Sequence, residues 1–122
     1  MLKKILLALA LFYTIALAVL SLLSSDDLPD VEVEYADKIG HTIAYALLSF
    51  IWYLVLKYYK FQKALIIAAV AAIIYGIILE VLQGTFTAER ISEGYDILAN
   101  CLGVVIISII IIISNKTHVK KI

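Results

Sequence analysis

The stretch Gly76-Ile77-Ile78-Leu79-Glu80-Val81-Leu82-Gln83-Gly84-Thr85-Phe86-Thr87-Ala88-Glu89-Arg90-Ile91-Ser92-Glu93-Gly94-Tyr95-Asp96-Ile97-Leu98-Ala99-Asn100 decides how this chain folds. It begins inside an apolar run and leaves it at Glu80 and Gln83. It then crosses a polar segment with Arg90 and re-enters an apolar run at Asp96 and Asn100. Polar side chains at the facing ends of two hydrophobic segments are costly in lipid unless they meet one another or water. The pattern therefore predicts two membrane-crossing helices whose polar ends build a pocket at one membrane surface.

Composition extends this reading to the whole chain. Of its 122 residues, 64% are hydrophobic and only 16% are charged, where a soluble domain would carry about a quarter charged residues. The mean hydropathy is +1.04. Apolar runs place spans at about 5–23, 39–56, 64–82 and 97–113, each near the roughly 20 helical residues that cross a hydrocarbon core. The expected fold is all-α: a four-transmembrane-helix bundle, with residues 1–122 forming a single membrane domain. The first run follows Lys3 and Lys4 as a signal peptide would, but it exceeds the usual apolar core of about 7–15 residues and no small-x-small cleavage pattern follows. It is read as a retained helix.

The loops divide sharply by charge although the formal net charge is zero. Eight of the ten Lys and Arg residues fall in the N-terminus, the segment around Lys57, Lys60 and Lys63, and the C-terminal tail. All ten acidic residues lie in the other two loops or beside them, five of them between Asp26 and Glu34. Lysine and arginine are retained on the cytoplasmic side, so both termini are expected in the cytoplasm of a bacterial inner or plasma membrane. The bacterial membrane is the preferred reading, although physics also admits a eukaryotic organelle. Trp52, Tyr53, Tyr58, Tyr59 and Phe61 read as an interfacial aromatic belt at the lysine end.

On that topology, Asp37, His41, Tyr45, Glu80, Gln83, Arg90, Asp96 and Asn100 all fall near the opposite, outer surface. Asp37, His41 and Tyr45 are spaced by four and share one helix face. So do Gly76 and Glu80, and Asp96 and Asn100. Each residue alone has a plainer use: Asp37 as a helix cap, His41 as a packing histidine, Tyr45 as an interfacial aromatic, Glu80 paired with Arg90, and Asn100 as interhelical glue. Their conjunction at one depth argues for a site.

Three kinds of chemistry suit these residues. The first is binding of an anionic amphiphile, a membrane lipid or a lipid-linked envelope precursor, with Arg90 on the anion and Gln83, Asp96, Asn100 and Tyr45 as further ligand-binding groups. The second is catalysis, with Asp37 orienting His41 as a base and Glu80 serving as an acid. No serine, threonine or cysteine carries a recognisable activation motif. The third is a divalent cation held by His41, Asp37, Glu80 and Asp96. No HxxxH, HExxH or cysteine pair supports it, so no metal and no other cofactor is expected. The single cysteine, Cys101, excludes an intramolecular disulfide. The small lysine clusters are accounted for by orientation, so nucleic acid is not an expected partner, whereas a homo-oligomer is compatible with the sequence.

The combination Asp37-Lys38-Ile39-Gly40-His41 with Tyr45, Glu80-Val81-Leu82-Gln83, Arg90, and Asp96 with Asn100 and Gly103 resembles the VanZ-like family of small bacterial membrane proteins. The resemblance runs from Asp37 to Gly103. It implies a cell-envelope role linked to tolerance of teicoplanin-type glycopeptides, and it supplies no reaction. Members often carry an aromatic-proline segment before the arginine; here Gly84-Thr85-Phe86-Thr87 has no proline.

Overall fold

The computed structural model describes residues 2–22, 34–86 and 94–121, with side chains described at 2–22, 39–82 and 97–116. These residues form four helices: α1 (Leu2–Leu22), α2 (Glu34–Tyr58), α3 (Ala64–Phe86) and α4 (Gly94–Lys121). No strand occurs among them. All four helices are long and apolar enough to cross a membrane, over Leu2–Leu22, Ile39–Tyr58, Ala64–Leu82 and Ile97–Lys116.

The outward faces are what lipid requires. Phe12 is 74% exposed, Leu98 63%, Ile15 63% and Ile66 62%. A water-soluble monomer rarely presents contiguous apolar surface on this scale, whereas acyl chains solvate it without cost. The backbone amides are satisfied within the helices, which is the condition for residence in hydrocarbon.

Helix α2 is the hub. It packs most extensively on α4, then on α3 and α1, while α1 leans only on α2 and α3 among the described residues. Ala10 is the only buried residue of α1. Helices α2 and α4 run parallel. Residues near their starts pair as His41 with Asn100, and those near their ends as Tyr53 with Asn115.

Small residues set how closely the helices approach. On α3, Ala64, Ala68 and Ala72 are buried at intervals of four, and Gly76 and Glu80 continue the same stripe. On α4, Gly103 touches the backbone of α2: a β-carbon there would overlap the Thr42 carbonyl oxygen and lie 3.2 Å from the Ala46 nitrogen. Without an apolar driving force between helices in lipid, such backbone proximity is a main source of association.

The α2–α3 turn closes with a Schellman-type cap. Phe61 N–H donates to Leu56 O and Lys60 N–H to Lys57 O, each at 3.0 Å. Lys60 occupies the left-handed position with φ 66°, where glycine or asparagine is the usual choice.

Several expected boundaries move. Gln83 to Phe86, read as loop, continues α3, and Gly94 and Tyr95 already belong to α4. Gly84 is tolerated because a glycine near a helix end costs only about 1 kcal/mol against alanine. Helix α2 starts at Glu34 rather than at the membrane boundary, and α4 runs to Lys121, so most of the basic tail is helical.

Candidate functional site

The site lies at the end of the bundle opposite the α2–α3 turn. Its geometry follows from three helix faces meeting at one level. Glu80 faces inward because it is the next step of the Ala64-Ala68-Ala72-Gly76 stripe. It is 2% exposed and takes part in polar or electrostatic interactions. Asn100 on α4 is likewise 2% exposed. His41 on α2 is half-buried, and its Nδ1 lies 3.1 Å from Asn100 Oδ1.

That contact has a chemical consequence. An Nδ1–H donating to the carboxamide oxygen leaves the neutral ring with its lone pair on Nε2. The amide holds the ring without adding charge. His41 takes part in a further interaction besides this one.

Tyr45, one turn below His41 on the same face, is 2% exposed. Its ring and Asn100 both close on Gly76. A β-carbon at that position would lie 3.0 Å from Tyr45 Cε1 and 3.0 Å from Asn100 Nδ2. The absent side chain on α3 is the space in which the other two side chains sit.

Beneath this level lies an aromatic floor. Tyr45, Leu48, Ala72 and Val104 form a core with Tyr13, Trp52 and Tyr75 packed against it. Three hydrogen bonds bind α1 to it: Tyr13 Oη donates to Ala44 O at 2.6 Å, Trp52 Nε1 to Thr14 Oγ1 at 2.8 Å, and Tyr75 Oη to Thr14 O at 2.5 Å. Thr14 Oγ1 itself donates to Ala10 O at 2.7 Å. Trp52 is therefore a tie inside the bundle and not part of the expected interfacial belt at the lysine end, and Tyr53 is buried as well. The position of Trp52 seven residues after Tyr45 keeps it on the same inward face. Tyr58, Tyr59 and Phe61 are exposed at the lysine end, as a belt requires. Tyr13, Thr14 and Tyr75 were not singled out from sequence; the available signal was a Tyr-Thr pair in the middle of an otherwise apolar span.

The structure thus brings together His41, Tyr45, Glu80 and Asn100 from the expected set. Asp37, Gln83 and Asp96 fall within α2, α3 and α4, but their side chains lie outside the described residues, as does all of Arg90. The expected Asp37–His41 and Glu80–Arg90 pairs therefore lie outside them too. Among the described residues no three His, Cys, Asp or Glu side chains gather as a metal site; two of the four donors considered, Asp37 and Asp96, are outside that set.

The VanZ/LLP1 family profile matches residues 3–115. This chain belongs to the VanZ/LLP1 family. The match takes in α1 as well as the Asp37–Gly103 region that carries the motifs. No curated protein and no solved structure matches the chain. Of the residues that carry the resemblance, Tyr45 and Asn100 close on Gly76, His41 meets Asn100, and Gly103 is the contact that lets α4 lie against α2.

Proposed function

We propose that this VanZ/LLP1-family chain is a multi-pass cell-envelope accessory protein of a bacterial plasma membrane. In this reading both termini are cytoplasmic, and an anionic amphiphile or lipid-linked envelope component binds in the polar pocket at the outer leaflet. The supporting observation is the meeting of His41, Glu80 and Asn100 from three helices at one level, over the aromatic floor of Tyr45 and Tyr75. Polar groups of this kind in a membrane domain mark a ligand or ion path more often than mere packing. A headgroup would enter among the polar side chains while its chains stayed along the exposed apolar helix faces. Arg90 would hold the anion, as its planar fork suits phosphate or carboxylate. Gln83, Asp96 and Asn100 would complete the hydrogen bonding, and protection against glycopeptides would follow from occupancy of such an envelope component.

The test is thermal unfolding of the purified chain with phosphatidylglycerol, a polyprenyl phosphate and a lipoglycopeptide. A shift with one of these that disappears in both Arg90→Ala and Asn100→Ala supports the reading; no shift beyond that of phosphatidylcholine with any of the three refutes it. A membrane enzyme acting on the same class of compound is the second reading. It is favoured by the presence of a histidine, held by Asn100 at Nδ1, and a buried carboxyl, Glu80, at the same level of the bundle. Product release that is lost in His41→Ala and Glu80→Gln, with the fold intact, would select it.

A further inference from the structure

We propose that the opposite end of the bundle carries a separate site, which holds the phosphodiester headgroup of an anionic phospholipid between the ends of α2 and α4. Tyr53 is 7% exposed, and Asn115 Nδ2 donates to its hydroxyl at 3.3 Å. Having accepted that bond, the phenol still has its own proton to donate. Lys57 Nζ lies 5.7 Å from the centre of the Tyr53 ring, and exposed Lys116 follows Asn115. The groups on offer are a phenol O–H, a carboxamide N–H and two ammonium groups. A phosphodiester presents only acceptors and one negative charge, so it complements all of them.

The surroundings point to a lipid as the source of that phosphate. Lys3, Lys4, Lys60 and Lys63 are also exposed at this end, Lys3 with its Nζ 5.7 Å from the centre of the Tyr59 ring. No acidic residue lies there among the described residues. Directly beside Asn115 and Lys116, Ile109, Ile112 and Ile113 expose an apolar face along α4, 44–58% accessible, on which acyl chains can lie. Orientation by positive charge requires only the lysines. It does not require a buried tyrosine and an asparagine paired beneath them. This site is independent of the pocket at the other end.

The experiment is titration of the full chain in neutral detergent with dioleoylphosphatidylglycerol, dioleoylphosphatidylcholine and inorganic phosphate, read by thermal unfolding through Trp52 fluorescence. Phosphatidylglycerol is expected to stabilise the chain, and the other two not. Lys57→Gln and Lys116→Gln should each weaken phosphatidylglycerol binding about fivefold, the equivalent of about 1 kcal/mol per lysine at an anionic surface. Tyr53→Phe should weaken it without unfolding the chain. Lys4→Gln removes the same charge from the same end and should change affinity less than twofold. Equal stabilisation by phosphatidylcholine or by inorganic phosphate would overturn the proposal. So would an unchanged affinity in the Lys57→Gln, Lys116→Gln double variant, or a loss in Lys4→Gln as large as in Lys57→Gln.

Discussion

Replacing Gly103 with alanine drives a methyl group into the backbone of α2. It would overlap the carbonyl oxygen of Thr42 and lie 2.9 Å from the carbonyl carbon, against a normal contact limit of 3.4 Å. Backbone cannot rotate away as a side chain can, so α2 and α4 must part. The His41–Asn100 bond, already 3.1 Å long, sits one turn from this contact and would be lost. Overpacking costs about 1–3 kcal/mol, and an interhelical hydrogen bond in a membrane adds about 0.6–1 kcal/mol. Alanine recovers up to about 1 kcal/mol over glycine in helix propensity. The net expectation is a loss of about 1–3 kcal/mol. Gly76→Ala is the internal control. Its β-carbon would meet only side-chain atoms, at 3.0 Å from Asn100 Nδ2 and Tyr45 Cε1. These can yield by a few tenths of an ångström, so its stability should change by less than about 1 kcal/mol in either direction. Reversible unfolding in mixed micelles, followed by the single tryptophan, measures both. If Gly103→Ala proves as stable as the parent chain, or no worse than Gly76→Ala, then α4 does not touch α2 at Thr42 and the placement of Asn100 beside His41 fails with it.

Other residues give narrower tests. Thr14→Val removes the acceptor of the Trp52 indole N–H, 2.8 Å away. It should cost about 0.6–1 kcal/mol and shift Trp52 emission to shorter wavelength, while unchanged emission would contradict the bond. Lys60→Gly relieves the left-handed residue at φ 66° and should stabilise the α2–α3 turn by up to about 1 kcal/mol in thermal unfolding; destabilisation would mean that Lys60 does not adopt that conformation. Nitrogen NMR of the ring should find His41 protonated on Nδ1 at neutral pH and shifted toward the Nε2–H form in Asn100→Ala; an Nε2–H ring in the parent chain would refute the donor assignment of that contact. Glu80→Leu puts an apolar group of similar size at a position 2% exposed. It removes one side of the interactions that this carboxyl makes. It should therefore lower the unfolding temperature as well as abolish any ligand shift, and unchanged stability would mean that those interactions contribute nothing to the fold.

The four spans were legible because length and hydropathy decide membrane insertion almost alone. That Tyr45, Glu80 and Asn100 share a level was legible for the same reason: spans of fixed length put them at predictable depths. Which faces meet was less so. Helix α3 is apolar nearly all round, so periodicity could not say where it points. The decisive cue is size: Ala64, Ala68, Ala72 and Gly76 form the only continuous small stripe, and Glu80 ends it. Trp52 was misjudged as part of the interfacial belt because the residues around it, Tyr53, Tyr58 and Tyr59, are of one chemical type. Yet only Tyr58 and Tyr59 reach the surface. The role of α1 was invisible. Its long-range hydrogen bonds come from Tyr13 and Thr14, whose partners are a main-chain oxygen, Trp52 and Tyr75, and no local pattern announces such pairings.

Taken as geometry, the family motif is less a set of ligands than a way of placing one. Gly103 lets α4 approach Thr42, and that approach carries Asn100 to His41. Asn100 and Tyr45 then need room on the third side, which Gly76 provides by having no side chain. Glu80 sits one turn beyond, on the same inward stripe. The two glycines and the asparagine thus fix the spacing of α2, α3 and α4 at a single level, and the histidine and glutamate are what that spacing displays. It follows that substitutions at the glycines and at the titratable residues should differ in their effects. Gly103→Ala should change the fold's stability and the position of His41, Gly76→Ala should shift only the side chains of Tyr45 and Asn100, and substitutions at His41 and Glu80 should change any binding at this level. A chain in which Gly103→Ala spared stability but removed ligand binding would reverse this division and place the glycine at the ligand itself.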